Sequence, residues 1–403
     1  MLKRSFVLGS LLISFTSSVY SKSIDDVVKN TLNQNYTIKS LESSINTTKE
    51  QIKLASKWEN PILTFGANDI QFDDIGKRDI EAMQAQFIGF SQTIPIGDKL
   101  EIAKKIAKDD YKISQYTIEE KKLQYKSKIY EYIYKIKLLK EKLSLFKKFK
   151  SNTIKLENLL TQLYKYKKAN QVQILNTKIM IQELNLKSQK LQTIINTLNL
   201  KLEQITYSKV EDIDFDSKLK RVLLSKDIES HPKILALLQR SKKQNNISQL
   251  EIEKKNSDIK MSLTYFQRDN KFEDYVNIAF AIPLSIYGTE DIKSKKAKFK
   301  TVELNHKLED MKLTFKNEIE TYQQNMDDAI ITFNIIKKDI LPKFNQLQKV
   351  MENYNSHSSY KNMDSKALIS NLNEIIKYEL KAIDEKEKYF NALAKSYYFN
   401  KEI

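Results

Sequence analysis

"GFSQTIPIGDKLEIAKKIA", residues Gly89 to Ala107, changes its period halfway. Up to Ile96 it alternates and carries a proline, as the end of a strand does; from Asp98 it runs as a lysine-rich helix. A second stretch, "NIAFAIPLSIYGTEDIKSKKA" (Asn277 to Ala297), makes the same change. A chain that is otherwise helical thus interrupts itself twice with short β structure. What those interruptions are for decides the fold.

The rest of the composition favours long helices. Six glycines and five prolines are few for 403 residues, and apart from Gly9 the glycines cluster at two places, Gly66 to Gly97 and Gly288. Charged residues at 30% and hydrophobic residues at 41% exclude a disordered chain and suit amphipathic helices. The net charge of +17 raises the question of nucleic acid. Lysine, however, far outnumbers arginine and is spread along every helix among glutamates, which reads as a solvated surface rather than a phosphate-clamping patch. Cysteine is absent, so disulfides, thiolate metal sites and a cysteine-borne lipid anchor are excluded.

Residues 1–21 read as a secretory leader: Lys3 and Arg4 are the basic part, Phe6 to Phe15 the apolar part, and Val19-Tyr20-Ser21 the cleavage site. The competing reading is an N-terminal membrane anchor, for which the apolar run is short. No later segment has 18 consecutive apolar residues, so any membrane insertion of the mature chain must use strands.

The chain follows one plan twice. A shift of 196 maps "NYTIKSL" (Asn35 to Leu41) onto "HPKILAL" (His231 to Leu237); a shift of 188 pairs Ile94-Pro95 with Ile282-Pro283; a shift of 190 pairs Tyr132 with Tyr322 and Tyr164 with Tyr354. The first repeat is placed at 22–206, an acidic linker at 207–227 and the second repeat at 228–403. Each repeat is expected to run helix, strand, strand, very long helix, turn, long helix. The helices are predicted at about 24–57, 98–167, 171–206, 229–256, 290–354 and 364–400, and the strands at about 61–72, 82–95, 259–268 and 275–285. Pro342 is expected to kink or break its helix.

Val276, Ile278, Phe280 and Ile282 fall on one face of the last strand, with Asn277, Ala279 and Ala281 on the other. Such period-two amphipathicity over about ten residues is what a tilted strand needs to cross a bilayer. The first pair of strands alternates less cleanly. A small soluble β layer packed on helices is the alternative. Four strands cannot close a barrel, and open edges in lipid leave backbone groups unsatisfied. Strands in a membrane must therefore be pooled between copies. Helices of about 70 residues span roughly 100 Å, which suits coiled-coil packing against neighbours.

These features together resemble the TolC family of bacterial outer-membrane efflux proteins. The resemblance covers essentially the whole mature chain and rests on the doubled plan, on "NPILTF" (Asn60 to Phe65), on "GFSQTIPIGDKLEIAKKIA" and on "AIPLSIYGTEDIKSKKA" (Ala281 to Ala297). "NP" and "SQTIPIGDK" are most similar to the heavy-metal cation efflux subgroup, although Asp98 and Leu100 depart from its usual pattern. The family implies a mainly α fold with a small β part. Long helical hairpins form a trimeric α-barrel, and four strands per protomer are pooled into a twelve-stranded transmembrane β-barrel. It implies a homotrimer in outer-membrane lipid that docks on a periplasmic adaptor protein and an inner-membrane pump, conducts passively, and uses no cofactor.

The turns at Tyr164, Lys168, Ala169 and Asn170, and at Tyr354, Tyr360 and Asn362, match the family's adaptor-docking tips, without the glycine usual there. The family's gate carboxylates fall on uncharged residues such as Ser370 and Asn371, which leaves Asp364 as the gate candidate; the competing role for Asp364 is a helix cap. His231, His306 and His357 lie far apart, and no phosphate loop or nucleophile elbow is present, so an enzyme is not expected. The competing function is an exported periplasmic coiled-coil scaffold or interaction protein.

Overall fold

The computed structural model describes residues 23–167, 169–210, 213, 215–357 and 365–399. The leader, Lys168, Tyr360, Asn362 and Asp364 lie outside the described residues. The chain runs α1 (Ile24–Gln34), α2 (Tyr36–Leu54), β1 (Ile62–Asn68), β2 (Ala85–Ile94), α3 (Lys99–Lys165), α4 (Gln171–Thr206), α5 (Pro232–Glu253), β3 (Ile259–Gln267), β4 (Tyr275–Ala281), α6 (Thr289–Asn334), a π-helical stretch (Ile335–Ile340), α7 (Leu341–His357) and α8 (Ser365–Ser396). At 1.5 Å per residue α3 alone is about 100 Å long.

Several expected boundaries are corrected. The first helix is two, broken at Asn35, which closes α1 and caps α2: its Oδ1 accepts from the N–H groups of Thr37 (2.9 Å) and Ile38 (3.2 Å). Asn35 Nδ2 donates to the carbonyl of Ile205 at 3.2 Å, and Tyr36 meets Tyr207 ring edge to face at 5.2 Å. α4 therefore ends against the start of α2, and the two stack end on.

His231 does the equivalent work for the other pair. It caps α5, with Nδ1 accepting from Lys233 N–H at 3.2 Å and Nε2–H donating to the Tyr398 carbonyl at 3.0 Å, so α8 ends against the start of α5. The helix interrupted by Pro342 does not break. Ile335–Ile340 widens to π spacing just before the proline, and the Leu341 N–H reaches back to the Ile336 carbonyl.

The strands are shorter than expected. β1 stops at Asn68 because Asp69 turns into the left-handed region (φ 54°). Gln84 then ties the loop, accepting from Ile80 and Glu81 N–H and donating to the Asp69 carbonyl at 3.1 Å. β4 stops at Ala281, before Pro283, which has no N–H to give a ladder. Ile282 therefore lies past the strand it was expected to extend.

The core lies between the stems. Ile129, Leu138, Ile195, Ile234, Met326 and Ala329 anchor one cluster; Phe146, Phe149, Ile336 and Ile376 anchor a second, closer to the α3–α4 turn. α3 and α8 are also tied by ions: Lys142 bonds Asp384 (2.6 Å) and Glu387 (2.9 Å), and Lys386 bonds Glu141 (3.0 Å). Burial pulls the Lys142 ammonium down, but its two carboxylate partners outweigh burial and hold it above its ordinary range. The stretch expected as a linker has neither helix nor strand among its described residues, yet it packs. Ile213 and Leu224 are buried, the Phe215 ring sits 4.8 Å from that of Tyr134, and the Lys220 carbonyl accepts from Tyr389 Oη at 2.6 Å.

Candidate functional site

The four strands form one antiparallel sheet in the order β1-β2-β3-β4. β2 and β3, far apart in sequence, join the two hairpins through a ladder from Gln86↔Gln267 to Ile94↔Ile259. Residues directly opposite share a face, so this register assigns every side chain to a side. One face carries Leu63 and Phe65 on β1, Ile88 and Phe90 on β2, Met261, Leu263 and Tyr265 on β3, and Val276, Ile278 and Phe280 on β4, with Gln86 and Gln267 at its loop end and Gln92 near its helix end. All ten apolar residues are exposed, from 38% at Met261 to 79% at Phe65. The other face carries Thr64, Gly66, Gly89, Ser91, Thr93, Lys260, Ser262, Thr264 and Asn277.

The less regular first hairpin thus falls into register with the second. Its pattern is obscured because Phe87 lies on the polar face. There its ring covers Gly66, whose added Cβ would stand 2.7 Å from Phe87 Cζ. Phe87 continues into Phe266 (5.5 Å) and Tyr275 (4.7 Å from Phe266, interplanar 8°), with the Arg268 guanidinium 5.3 Å from the Tyr275 ring. At the same end Lys271–Asp79 (3.1 Å) and Arg268 Nη1 to the Ala82 carbonyl (3.2 Å) brace the two hairpin loops together.

The apolar face has the dimensions of a membrane strip. Ten residues of β2 rise about 33 Å, which at a tilt near 40° covers about 25 Å. Four strands about 4.8 Å apart give a patch of roughly 450 Å², the size of the largest apolar patch that a soluble monomer exposes, which is often functional. No described helix is long and apolar enough to cross a membrane. Within the chain β1 pairs only with β2 and β4 only with β3. β1 runs away from the helices and β4 toward them, so the two free edges are antiparallel to each other.

The strand-to-helix junction is fixed by polar groups. Gly97 takes φ 76°, and a Cβ there would collide with the Glu253 carboxylate, whose Oε1 accepts from Asp98 N–H at 3.2 Å. Lys99, buried, bonds Asp258 and the Asn256 carbonyl. The α3 helix is thereby locked to the end of α5 directly beneath the sheet.

At the α3–α4 tip Tyr164, Tyr166, Val172 and Leu175 are exposed. Lys167 holds the left-handed conformation (φ 57°) that a glycine would hold at lower cost. Asn170 caps α4 in a reciprocal pair with Gln173, each bond 2.9 Å, and Ala169 lies between them and Lys167. Tyr354 lies in α7. Asn371 is buried and donates to Gln348 Oε1 (2.7 Å) and the Phe344 carbonyl (3.3 Å), so its side chain serves the α7–α8 contact.

The tyrosines of α3 divide. Tyr130 and Tyr134 are buried, with Tyr130 Oη donating to Asp25 at 2.6 Å. Burial first holds both phenols above their ordinary range, helped by Asp25 at Tyr130 and by Tyr397 at Tyr134. Asp109 was not singled out by sequence: it is buried on α3 and accepts from Gln239 (2.5 Å) and Asn246 (2.6 Å) of α5. No apolar signal marks it, because the upper part of that helix contact is polar. Among the described residues no His, Cys, Asp and Glu group is arranged to hold a metal ion.

No protein-family model matches the chain, and no curated protein matches it. Solved structures do. The chain is similar to the Campylobacter jejuni CmeC outer membrane channel (12% identity, TM-score 0.74, over 93% of this chain and 85% of that one). It is similar to a membrane protein from Pseudomonas aeruginosa (12%, TM-score 0.78, 93% and 91%) and to the Neisseria gonorrhoeae MtrE outer membrane channel (13%, TM-score 0.64, 93% and 88%). The fold is the one these outer-membrane channel structures share, mainly α with four strands. It is the TolC-type fold that the doubled plan and its junction sequences resemble.

Proposed function

We propose that this protein is the outer-membrane channel of a tripartite efflux system, a passive duct rather than an enzyme. The observation that carries this reading is the sheet: one face exposed and apolar between Gln86 and Gln267 at one end and Gln92 at the other, the opposite face mainly polar, and two free edges of opposite direction. Opposite edges let copies join head to tail into a closed, all-antiparallel barrel, which removes every unsatisfied edge group in lipid. Three copies give twelve strands, within the range that bacterial barrels occupy. The stems would then line a periplasmic tunnel, with residues 22–206 and 228–403 contributing equivalent halves. The shared capping roles of Asn35 and His231 support that division.

The partners on this reading are two further copies, outer-membrane lipid, a periplasmic adaptor and an inner-membrane pump that supplies the energy. The exposed Tyr164, Tyr166 and Val172 at the α3–α4 tip favour adaptor docking there. Lys168, Tyr360, Asn362 and the gate candidate Asp364 remain sequence assignments. For cargo, "NPILTF" and "SQTIPIGDK" favour heavy-metal cations. Deleting the gene is expected to sensitise cells to copper salts more than to dyes; equal sensitivity would remove that subgroup.

The test of the channel is the native mass of the mature chain, in mild detergent, from separated membrane fractions. A detergent-dependent trimer from the outer membrane is expected. A monomer or dimer that stays soluble without detergent would instead favour the exported coiled-coil scaffold.

A further inference from the structure

The helix ends that carry the sheet hold lysines, exposed except for the half-buried Lys104, that make no ion pair among the described residues. Lys57 closes the segment after α2, Lys104 and Lys108 lie in the opening turns of α3, and Lys293, Lys295 and Lys296 in those of α6. Among the described residues none has a carboxylate within ion-pair distance. Neighbouring lysines do: Lys53 has Glu50 (2.8 Å), Lys105 has Glu101 (2.9 Å), Lys254 has Glu251 (2.6 Å) and Lys255 has Asp291 (2.6 Å). Four of the acids near the free lysines are thus already paired, although Glu101 also draws on Lys104 and Lys108 through space.

Their height is set by the chain. Lys104 lies about 8 Å and Lys293 about 6 Å along their helices from the ends that adjoin the sheet. The headgroup layer bordering the hydrocarbon is about 5–8 Å thick on each side. Lys104 and Lys293 thus start in that layer, and Lys295 and Lys296, about 9 and 11 Å along α6, reach back toward it because helical side chains tilt toward the helix N-terminus. Between α5 and α6 at this height lies an open groove of about 610 Å³, lined by Ile247, Glu251, Lys293, Lys296, Phe299 and Lys300. It combines ammonium groups with an exposed ring, Phe299 at 75%. Lys300 already shares Glu303 with Lys307, and the two hold that carboxyl down to about 2. Lys293 and Lys296 are the groove's free cations.

We propose that these lysines form a collar that binds anionic phospholipid headgroups in the periplasm-facing leaflet, with the Lys293–Lys296 groove as its best-formed seat. The proposal rests on the reading of the sheet as membrane-spanning. Charge complementarity selects the ligand. A lysine held at an anionic surface contributes about 1 kcal/mol, a roughly fivefold local enrichment of anionic over zwitterionic lipid. Long apolar stems let each ammonium reach the phosphate while its methylenes stay against the apolar boundary.

The chain supplies its own reporter. Trp58 is its one tryptophan, 55% exposed and adjacent to Lys57. A second reporter, Phe299→Trp in a Trp58→Phe chain, reads the groove. Full mature protein is reconstituted in phosphatidylcholine vesicles containing an equal minor fraction of brominated phosphatidylglycerol or brominated phosphatidylcholine, and quenching is compared. Brominated phosphatidylglycerol is expected to quench severalfold more strongly at both positions. The excess should shrink as salt shortens the screening length. It should disappear at position 299 with Lys293→Gln and Lys296→Gln, and at Trp58 with Lys57→Gln and Lys104→Gln.

Equal quenching by both lipids would overturn the collar and leave the membrane reading standing. Quenching at Trp58 but none at position 299 would mean that a second copy covers the groove, which overturns the seat. No quenching by either lipid at either position would overturn the collar and the membrane-spanning sheet together.

Discussion

Replacing Ile278 by lysine tests the two-faced sheet more sharply than any other single change. Ile278 is the central residue of β4, opposite Leu263, which is opposite Phe90, which is opposite Leu63. It therefore sits midway up the apolar strip and is 61% exposed in the single chain. A lysine on the lipid face near the bilayer midplane costs about 2–4 kcal/mol, and three copies in one barrel multiply this to about 6–12 kcal/mol. That is comparable to the whole stability of an ordinary domain. Asn277→Lys, one residue earlier and also exposed, places the same charge on the polar face, where it stays in water and costs little. The assay is the yield of detergent-resistant trimer from outer-membrane fractions. Ile278→Lys is expected to abolish it and Asn277→Lys to preserve it. If both variants assembled equally well, the strip would not face lipid, and the argument from strand register to membrane insertion would fail.

Gly97→Ala should destabilise the strand-to-helix junction by about 2 kcal/mol, since a left-handed φ and the Glu253 carboxylate both oppose a Cβ; urea unfolding in detergent measures it. Lys167→Gly should do the opposite at the α3–α4 tip, stabilising the turn by about 1 kcal/mol and slowing its amide exchange. Asn35→Ala removes the α2 cap and the bond to Ile205, a loss of about 1–2 kcal/mol that thermal unfolding would register. Tyr130, Tyr134 and Tyr398 are held above the ordinary phenol range by burial first, then by their neighbours. With folded values raised above the unfolded value near 10, their stabilisation is complete below that pH and is lost as pH rises through the folded values. Ultraviolet titration should therefore find these three phenols ionising only as the chain unfolds.

The stems and the β interruptions were legible in the sequence because they are written in composition. Glycine is missing where a helix must run on, and alternation appears where a strand must show two faces. The second hairpin could be oriented by eye. The first could not, since Phe87 stands on the polar face and serves as a lid for Gly66, so only the ladder to β3 reveals its sidedness. The break at Asn35 was hidden because neither proline nor glycine marks it; the asparagine caps α2 there and bonds the end of α4, a contact 170 residues away in sequence. Nor does sequence identify Lys167 as the left-handed residue of its turn, where a glycine would have advertised it. Ile282 was placed in a strand by its apolar character, but ladder pairing depends on backbone N–H groups, and Pro283 has none to give.

Tyr130 touches both ends of the described chain: its hydroxyl bonds Asp25, and its ring lies 4.2 Å from that of Tyr397. The start and finish of the fold are thus neighbours in space, while Ser225, Lys226 and Asp227 form an exposed stretch between the halves. The order in which the two halves are synthesised is consequently not part of the fold's information. A circularly permuted chain, opened at Lys226 and joined by a short linker from Phe399 to Ser23, is expected to keep every strand neighbour and every helix stack, since only the linker and the place of the cut differ within the described fold.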